Sequence, residues 1–268
     1  MNVIVITGAS DGIGAEMARQ LARRHGAEVA LVLAARTEEK LAQVGAQCAA
    51  AHAQVLEHRC DVSVESECRA LVNAAVARFG RIDTLVNNAG MSAHARFEDV
   101  QNLDWYRRLM DINLWGSVWC TQAALPHLKR SQGRIVAVAS LAGLIGVPGR
   151  TAYSATKFAM TGFFEALRTE VAPQGVSVTI AYPGVVATEI RYRGFNERGE
   201  PAGRSGLDER GAMSVQTCAS LILQAMERRQ RDVVMTAKGK LGRWMKLLMP
   251  QRVDEMAMKA LRREERVR

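Results

Sequence analysis

The chain has 268 residues, 48% of them apolar and 5% aromatic, with a formal net charge of +9. No apolar run approaches the roughly 20 residues of a membrane-spanning helix, and the start at Met1 passes directly into a strand pattern, so neither a transmembrane segment nor a signal peptide is expected. The five cysteines, Cys48, Cys60, Cys68, Cys120 and Cys218, are odd in number and scattered, which points to a reduced cytoplasmic protein without a disulfide framework or a bound metal. The positive charge suits nucleic acid, a membrane surface or an anionic cofactor. The chain lacks a recognition motif and interleaved aromatics, so nucleic acid is not an expected partner.

An α/β fold of about 250 residues is routinely one domain, and the absence of repeats or a linker gives a single domain over residues 1–268. The first element is a β-branched strand, Asn2 to Ile6, followed at once by Thr7-Gly8-Ala9-Ser10-Asp11-Gly12-Ile13-Gly14. Met17, Ala18, Leu21 and Ala22 then recur at helical spacing. This order of strand, glycine turn and helix has a use: Gly8 permits a tight turn, Gly12 lets backbone approach a pyrophosphate, and Gly14 lets helix and strand pack closely. The helix N-terminus offers free N–H groups to the anion. A dinucleotide cofactor is therefore expected.

A second strand, Glu28 to Ala35, runs into Arg36 and Thr37. NAD enzymes of this fold place an acid here to hold the ribose hydroxyls, and none is present from Ala34 to Thr37. A planar guanidinium suits a 2′-phosphate instead, so NADP(H) is preferred, with NAD(H) left open. A pairing of Arg36 with Glu38 or Glu39 would leave the preference open, and Asp11 in the glycine turn tempers it.

A helical pattern over residues 37–50 leads to a strand from Gln54 to Arg59, then to Asp61-Val62 and a helix from about Ser63 to Phe79. Read from the residues alone, Asp61 can cap that helix. The strand Ile82 to Val86 ends in Asn87-Asn88-Ala89-Gly90, and Asp104 to Lys129 reads as one long helix carrying Asn113 in its middle. A mid-helix amide is locally disfavoured and needs a reason. Trp115 and Trp119, four apart, are expected to pack against another helix.

The nearly all-apolar strand Arg134 to Ala139 delivers Ser140, the helix from about Arg150 to Ala172 carries Tyr153 and Lys157, and the strand Val176 to Ala181 ends in Pro183-Gly184. Open α/β sheets bind ligands at the C-terminal edge of their strands, so these residues would share one rim. Residues 189–212 lose periodicity and read as a substrate lid or a surface loop. A helix, Ser214 to Glu227, and a strand, Asp232 to Met235, follow. In the segment 238–268, Trp244, Leu247 and Leu248 lie among Arg243 and Lys246; such a basic amphipathic stretch suits peripheral membrane contact, a substrate mouth, its own domain or a partner subunit.

Tyr153 and Lys157 are one helical turn apart on the same face. A phenol has an ordinary pKa of about 10 and works near neutrality only if a positive charge stabilises the phenolate. Lys157 can supply that charge, and Ser140 can orient a carbonyl that Tyr153 protonates, the set that hydride addition to a ketone requires.

Thr7-Gly8-x-x-x-Gly12-x-Gly14 with Tyr153-x-x-x-Lys157 resembles the short-chain dehydrogenase/reductase family, and Asn87 to Gly90 and Pro183-Gly184-x-x-x-Thr188 stand in that family's order. The resemblance implies a Rossmann-like doubly wound parallel sheet of about seven strands, with helices on both faces. It implies catalysis by Asn113, Ser140, Tyr153 and Lys157, Asn113 holding a water that links the lysine to solvent. It further implies a cofactor site of Gly8, Ser10, Asp11, Gly12, Ile13, Gly14, Arg36, Thr37, Asp61, Val62, Asn88, Ala89, Gly90, Pro183, Gly184, Val186 and Thr188, shared with Tyr153 and Lys157. Asp61 would accept from the adenine amine beside Val62. The expected activity is NADP(H)-dependent interconversion of a carbonyl and a secondary alcohol on a fairly apolar small molecule, in a homodimer or homotetramer. The alternative is a nucleotide-binding sensor without turnover. Substrate choice would lie in Gly90 to Phe97, Leu141 to Arg150 and the lid.

Overall fold

Alternation along the first strand builds two cores at once. In β1 (Asn2–Thr7), Val3 and Val5 enter one buried cluster while Ile4 and Ile6 enter another on the opposite face, as the two-residue period of a strand requires. The computed structural model describes residues 1–203, 205 and 211–265, the last helix's side chains up to 262. Residues 204 and 206–210 of the expected lid and residues 266–268 of the C-terminal segment lie outside the described residues.

The strands β1, β2 (Val29–Ala35), β3 (Gln54–Arg59), β4 (Thr84–Asn87), β5 (Arg134–Val138), β6 (Ser177–Tyr182) and β7 (Asp232–Val234) form one sheet in the order β3-β2-β1-β4-β5-β6-β7. Every pairing is parallel, with Ile4 beside Leu31 on one side and Thr84 on the other. The chain therefore reverses its winding between β1 and β4, and the crevice beyond their C-terminal ends is where such a sheet binds ligands.

Three helices, α1 (Gly12–His25), α2 (Glu38–Ala50) and a later one over Val215–Glu227, cover the face of Ile4 and Ile6 through Met17, Leu21, Leu41, Val44, Ile222 and Leu223. Each such side chain, fully buried, contributes about 1.5–3 kcal/mol. The other face is covered by α3 (Glu65–Phe79), by the long helix that carries Met160 and Phe164, and by a helical run in three parts. That run is α4 (Asp104–Met110), a π-helical turn (Asp111–Trp115) and α5 (Gly116–Ser131). The uniform helix expected over this stretch is thus interrupted at Asn113, and wide turns of this kind gather at functional sites. The rings of Trp115 and Trp119 stack on each other, centroids 6.0 Å apart; Trp115 is exposed rather than packed into a neighbouring helix.

Next along the chain are α6 (Thr151–Val171), α7 (Val215–Glu227), α8 (Ala237–Leu248) and α9 (Pro250–Glu265). Arg168 on α6 pairs with Asp232 on β7 at 3.0 Å and donates to Val178 O, anchoring the sheet's edge. The basic C-terminal segment is two helices, broken where Pro250 cannot continue α8 and instead starts α9.

Candidate active site

The glycine turn is held open by its neighbours. Gly8 has φ +66° and Gly12 φ +53°, and a Cβ on Gly8 would stand 2.8 Å from Ala89 Cα, so both torsion and space demand glycine. Thr7 fixes the facing segment: its hydroxyl donates to Val86 O and accepts from the N–H groups of Asn88 and Ala89. The Asn88 amide donates to Thr7 O at 2.9 Å and Gly8 O at 3.1 Å. A Cβ on Gly14 would strike Gly8 O and the Asn88 amide. Gly14 thus packs behind the turn and does not line the opening.

A groove of about 420 Å³ runs along the C-terminal strand edge. At one end are Arg36, Thr37, Asp61 and Val62; in the middle Gly8, Ser10, Asp11, Gly12, Ile13, Asn88, Ala89 and Gly90; at the other Ser140, Tyr153, Lys157, Pro183, Gly184, Val186 and Thr188. Arg36 turns to Asp61, Nη1 to Oδ2 3.9 Å, instead of Glu38 or Glu39. Asp61 also accepts from Ser63 N–H and O–H at 3.0 and 2.7 Å. It therefore holds the turn ahead of α3 while lining the groove, and the helix begins two residues later than expected, at Glu65. Burial pushes the Asp61 carboxyl up, but the two Ser63 hydrogen bonds and Arg36 together hold it below its ordinary value.

Ser140 leaves β5 at its C-terminal end, and its hydroxyl oxygen accepts from Ala142 N–H at 3.2 Å, which leaves its O–H to donate elsewhere. Lys157 lies beneath, buried, its Nζ donating to Val138 O at 3.0 Å and lying 5.9 Å from the Tyr153 ring centroid. Burial lowers the Lys157 pKa, and Tyr153 offsets part of that shift. Asn113 stands off the groove. Its Oδ1 accepts from Met91 N–H at 2.7 Å, and its Nδ2 donates to Met91 O and Thr156 Oγ1. The amide ties the loop after Gly90 to the helix bearing Tyr153 and stands behind Gly90 and Met91, both of which line the groove; a Cβ on Gly90 would lie 3.1 Å from its Oδ1.

Several groove residues lie in the stretches expected to set substrate choice, but their individual contacts were not legible in the sequence. Arg150 lies 4.4 Å over the Tyr153 ring and donates to Ser92 Oγ and Ala93 O; its position three residues before Tyr153, one turn back on the same face, was the available signal. Met91, Ser92, Ile190, Arg191 and Arg193 also line the opening. Arg193 pairs with Asp11 at 2.6 Å, joining the segment 189–203 to the glycine turn, and Phe195 anchors that segment against Trp105, centroids 5.8 Å apart. Contacts across 182 residues leave no trace in local pattern.

A parallel sheet wound both ways around a glycine-cradled groove, with a phenol, a lysine and a serine at one end, defines a nucleotide-binding oxidoreductase fold. The short chain dehydrogenase family model matches residues 2–198, and the chain belongs to that family, oxidoreductases that use NAD(P) and act on a hydroxyl or carbonyl group. The 11-beta-hydroxysteroid dehydrogenase A of Sesamum indicum is 37% identical over 255 residues, spanning 93% of this chain and 72% of that protein. The 11-beta-hydroxysteroid dehydrogenase-like 4A of Arabidopsis thaliana is 44% identical over 185 residues, covering 69% of this chain and 60% of the relative. Among solved structures, the alcohol dehydrogenase of the archaeon Thermococcus sibiricus, complexed with 5-hydroxy-NADP, superimposes with a TM-score of 0.75. It is 25% identical, covering 87% of this chain and 95% of that one.

Proposed function

We propose that this protein interconverts a ketone and a secondary alcohol with NADP(H), using Tyr153 as general acid in reduction and general base in oxidation. The observation that carries the reading is the convergence of Ser140, Tyr153 and Lys157 on the groove whose far end holds Arg36 and whose middle is the glycine turn. The residues present fit the cofactor. Gly8 and Gly12 line the groove with bare backbone, where added side chains would press on Ala89 and Thr188, the N-terminus of α1 offers N–H groups to a pyrophosphate, and Arg36 suits a 2′-phosphate. When bound, the nicotinamide supplies the hydride to the carbonyl carbon.

The chain's own residues manage the oxygen. Ser140, with its acceptor side engaged by Ala142 N–H, donates to the carbonyl oxygen and fixes it against Tyr153. Tyr153 gives that oxygen its proton, and the Lys157 ammonium stabilises the phenolate left behind. Asn113 acts as a positioning residue, clamping Met91 to Thr156 one residue from Lys157; the water-holding part read for it belongs to this proposal. Arg193, paired with Asp11, makes residues 189–203 a lid over the middle of the groove. Met91, Leu141, Val147 and Ile190 give the substrate end an apolar lining, which favours an apolar ketone, and the names of the relatives put oxosteroids first among substrates to assay.

The test follows NADPH absorbance over a panel of ketones that includes oxosteroids, with wild type and Tyr153→Phe. Turnover should fall by about 10²–10⁴-fold in the variant, while NADPH affinity and melting temperature hold. A full rate in Tyr153→Phe, or no ketone-dependent oxidation of NADPH by wild type, refutes the proposal and favours the sensor reading.

A further inference from the structure

Helix α8 carries its apolar residues on the outside. Its inner face is formed by Gly239 and Gly242, where added side chains would meet Leu141 and Ile145. Two cations are tied inward as well: Arg243 pairs with Asp232 at 3.2 Å, and Lys246 donates to Leu144 O at 2.8 Å with its Nζ 4.5 Å from the Phe158 ring centroid. Leu241, Trp244, Leu247 and Leu248 are left outward, 61, 67, 72 and 77% exposed. Their spacing places them on one stripe, and Met249, 39% exposed, follows it at the end of the helix. Isolated exposed apolar residues are ordinary, but a contiguous apolar stripe marks a docking face.

We propose that this stripe docks on an anionic lipid bilayer, with α8 lying in the plane of the headgroups. Charge selects this occupant. Helix α8 has four cations and no acid, with Lys238 and Lys240 exposed at its start, whereas on α9 the exposed Arg252, Lys259 and Arg262 are partly offset by exposed Asp254 and Glu255, so the positive excess lies on α8. Apolar burial and attraction to anionic headgroups then act together, whereas a second copy of the same face would set these cations against one another. A helix of 12 residues is about 18 Å long, too short to span hydrocarbon, and no helix among the described residues is long and apolar enough to cross a membrane. Buried Leu261 of α9 packs beside Gly149, and α8 is held against Leu141, Ile145 and Asp232, so the stripe faces away from the body. Leu141, on which Gly239 rests, also lines the groove, and docking would bring the groove close to the membrane surface.

The experiment is co-sedimentation of the full-length protein with vesicles of phosphatidylcholine alone or mixed with phosphatidylserine, at low and high salt. Pelleting should rise with phosphatidylserine and fall with salt. Leu247→Gln/Leu248→Gln removes apolar contact without touching charge and should lower partitioning by about tenfold or more; Lys238→Gln/Lys240→Gln should lower it about 30-fold at low salt. All four positions are exposed, so melting temperatures should match wild type. The proposal is overturned if wild type does not pellet with phosphatidylserine vesicles at low salt. It is equally overturned if Leu247→Gln/Leu248→Gln pellets undiminished, which would mean diffuse attraction of the whole basic surface. Dissociation of an oligomer by that variant, seen by light scattering with no lipid binding by wild type, would assign the face to a second copy.

Discussion

Arg36→Asp should separate NADPH from NADH by charge. In the structure the Arg36 side chain is 50% exposed and its nearer guanidinium nitrogen lies 3.9 Å from Asp61, a pairing worth no more than about 1 kcal/mol. The side chain can therefore turn to a phosphate at little cost. A charge-assisted contact is worth about 1.5–3 kcal/mol, and half-exposure with a Debye length of about 8 Å at physiological salt sets it at the lower end. That end corresponds to about tenfold in Kd, the loss expected for Arg36→Ala. Arg36→Asp adds a carboxylate that repels the phosphate and stands beside Asp61, extending the loss to about 30–100-fold. NADH has no 2′-phosphate, so its Kd should move by less than about threefold. Arg36→Lys, with charge but no planar fork, should recover only part of the affinity. Calorimetric titration of both cofactors at two salt concentrations measures all of this, and the Arg36→Ala penalty should shrink as salt rises. Equal binding of NADH and NADPH by wild type, or equal weakening of both by Arg36→Ala, refutes the reasoning.

Lys157 predicts a pH dependence. Burial lowers its folded pKa below the ordinary 10.5, with Tyr153 opposing, so between the two values the unfolded chain binds the extra proton and stability rises with pH. Lys157→Met lacks this contribution, and the urea midpoint of wild type should gain on that of the variant as pH climbs toward 10.5; a gap moving the other way would contradict the burial argument. Gly116→Ala places a methyl 2.7 Å from Val62 O and 2.8 Å from Val62 Cβ. The gain of about 1 kcal/mol in helix propensity should be outweighed by overpacking of about 1–3 kcal/mol. Thermal stability should fall, NADPH binding should weaken because Val62 walls the groove, and an unchanged melting temperature would show that the contact relaxes freely.

Much of the architecture was legible in the chain because it is enforced locally. Two-residue alternation, three glycines after a strand and apolar residues at helical spacing act within a few residues of each other, so the order of strands and helices and the rim on which Ser140 and Tyr153 lie could be read in one dimension. Boundaries drifted by a residue or two, as at Glu65, where the Asp61 to Ser63 turn delays the helix. What only the tertiary structure decided depends on residues far apart in sequence. In the sequence Arg36 favoured a 2′-phosphate and left Glu38 or Glu39 open as partners, and the fold set it against Asp61. Asn113 sat in an apparently continuous helix, and packing of Met91 and Thr156 around its amide accompanies a π turn. Arg193 and Asp11 became partners through the return of the segment after β6 over the glycine turn. In α8 the hydrophobic stripe was visible from its spacing, but periodicity gives a helix a face without saying which way it turns; Gly239 and Gly242 pressed on Leu141 and Ile145 turned that stripe outward.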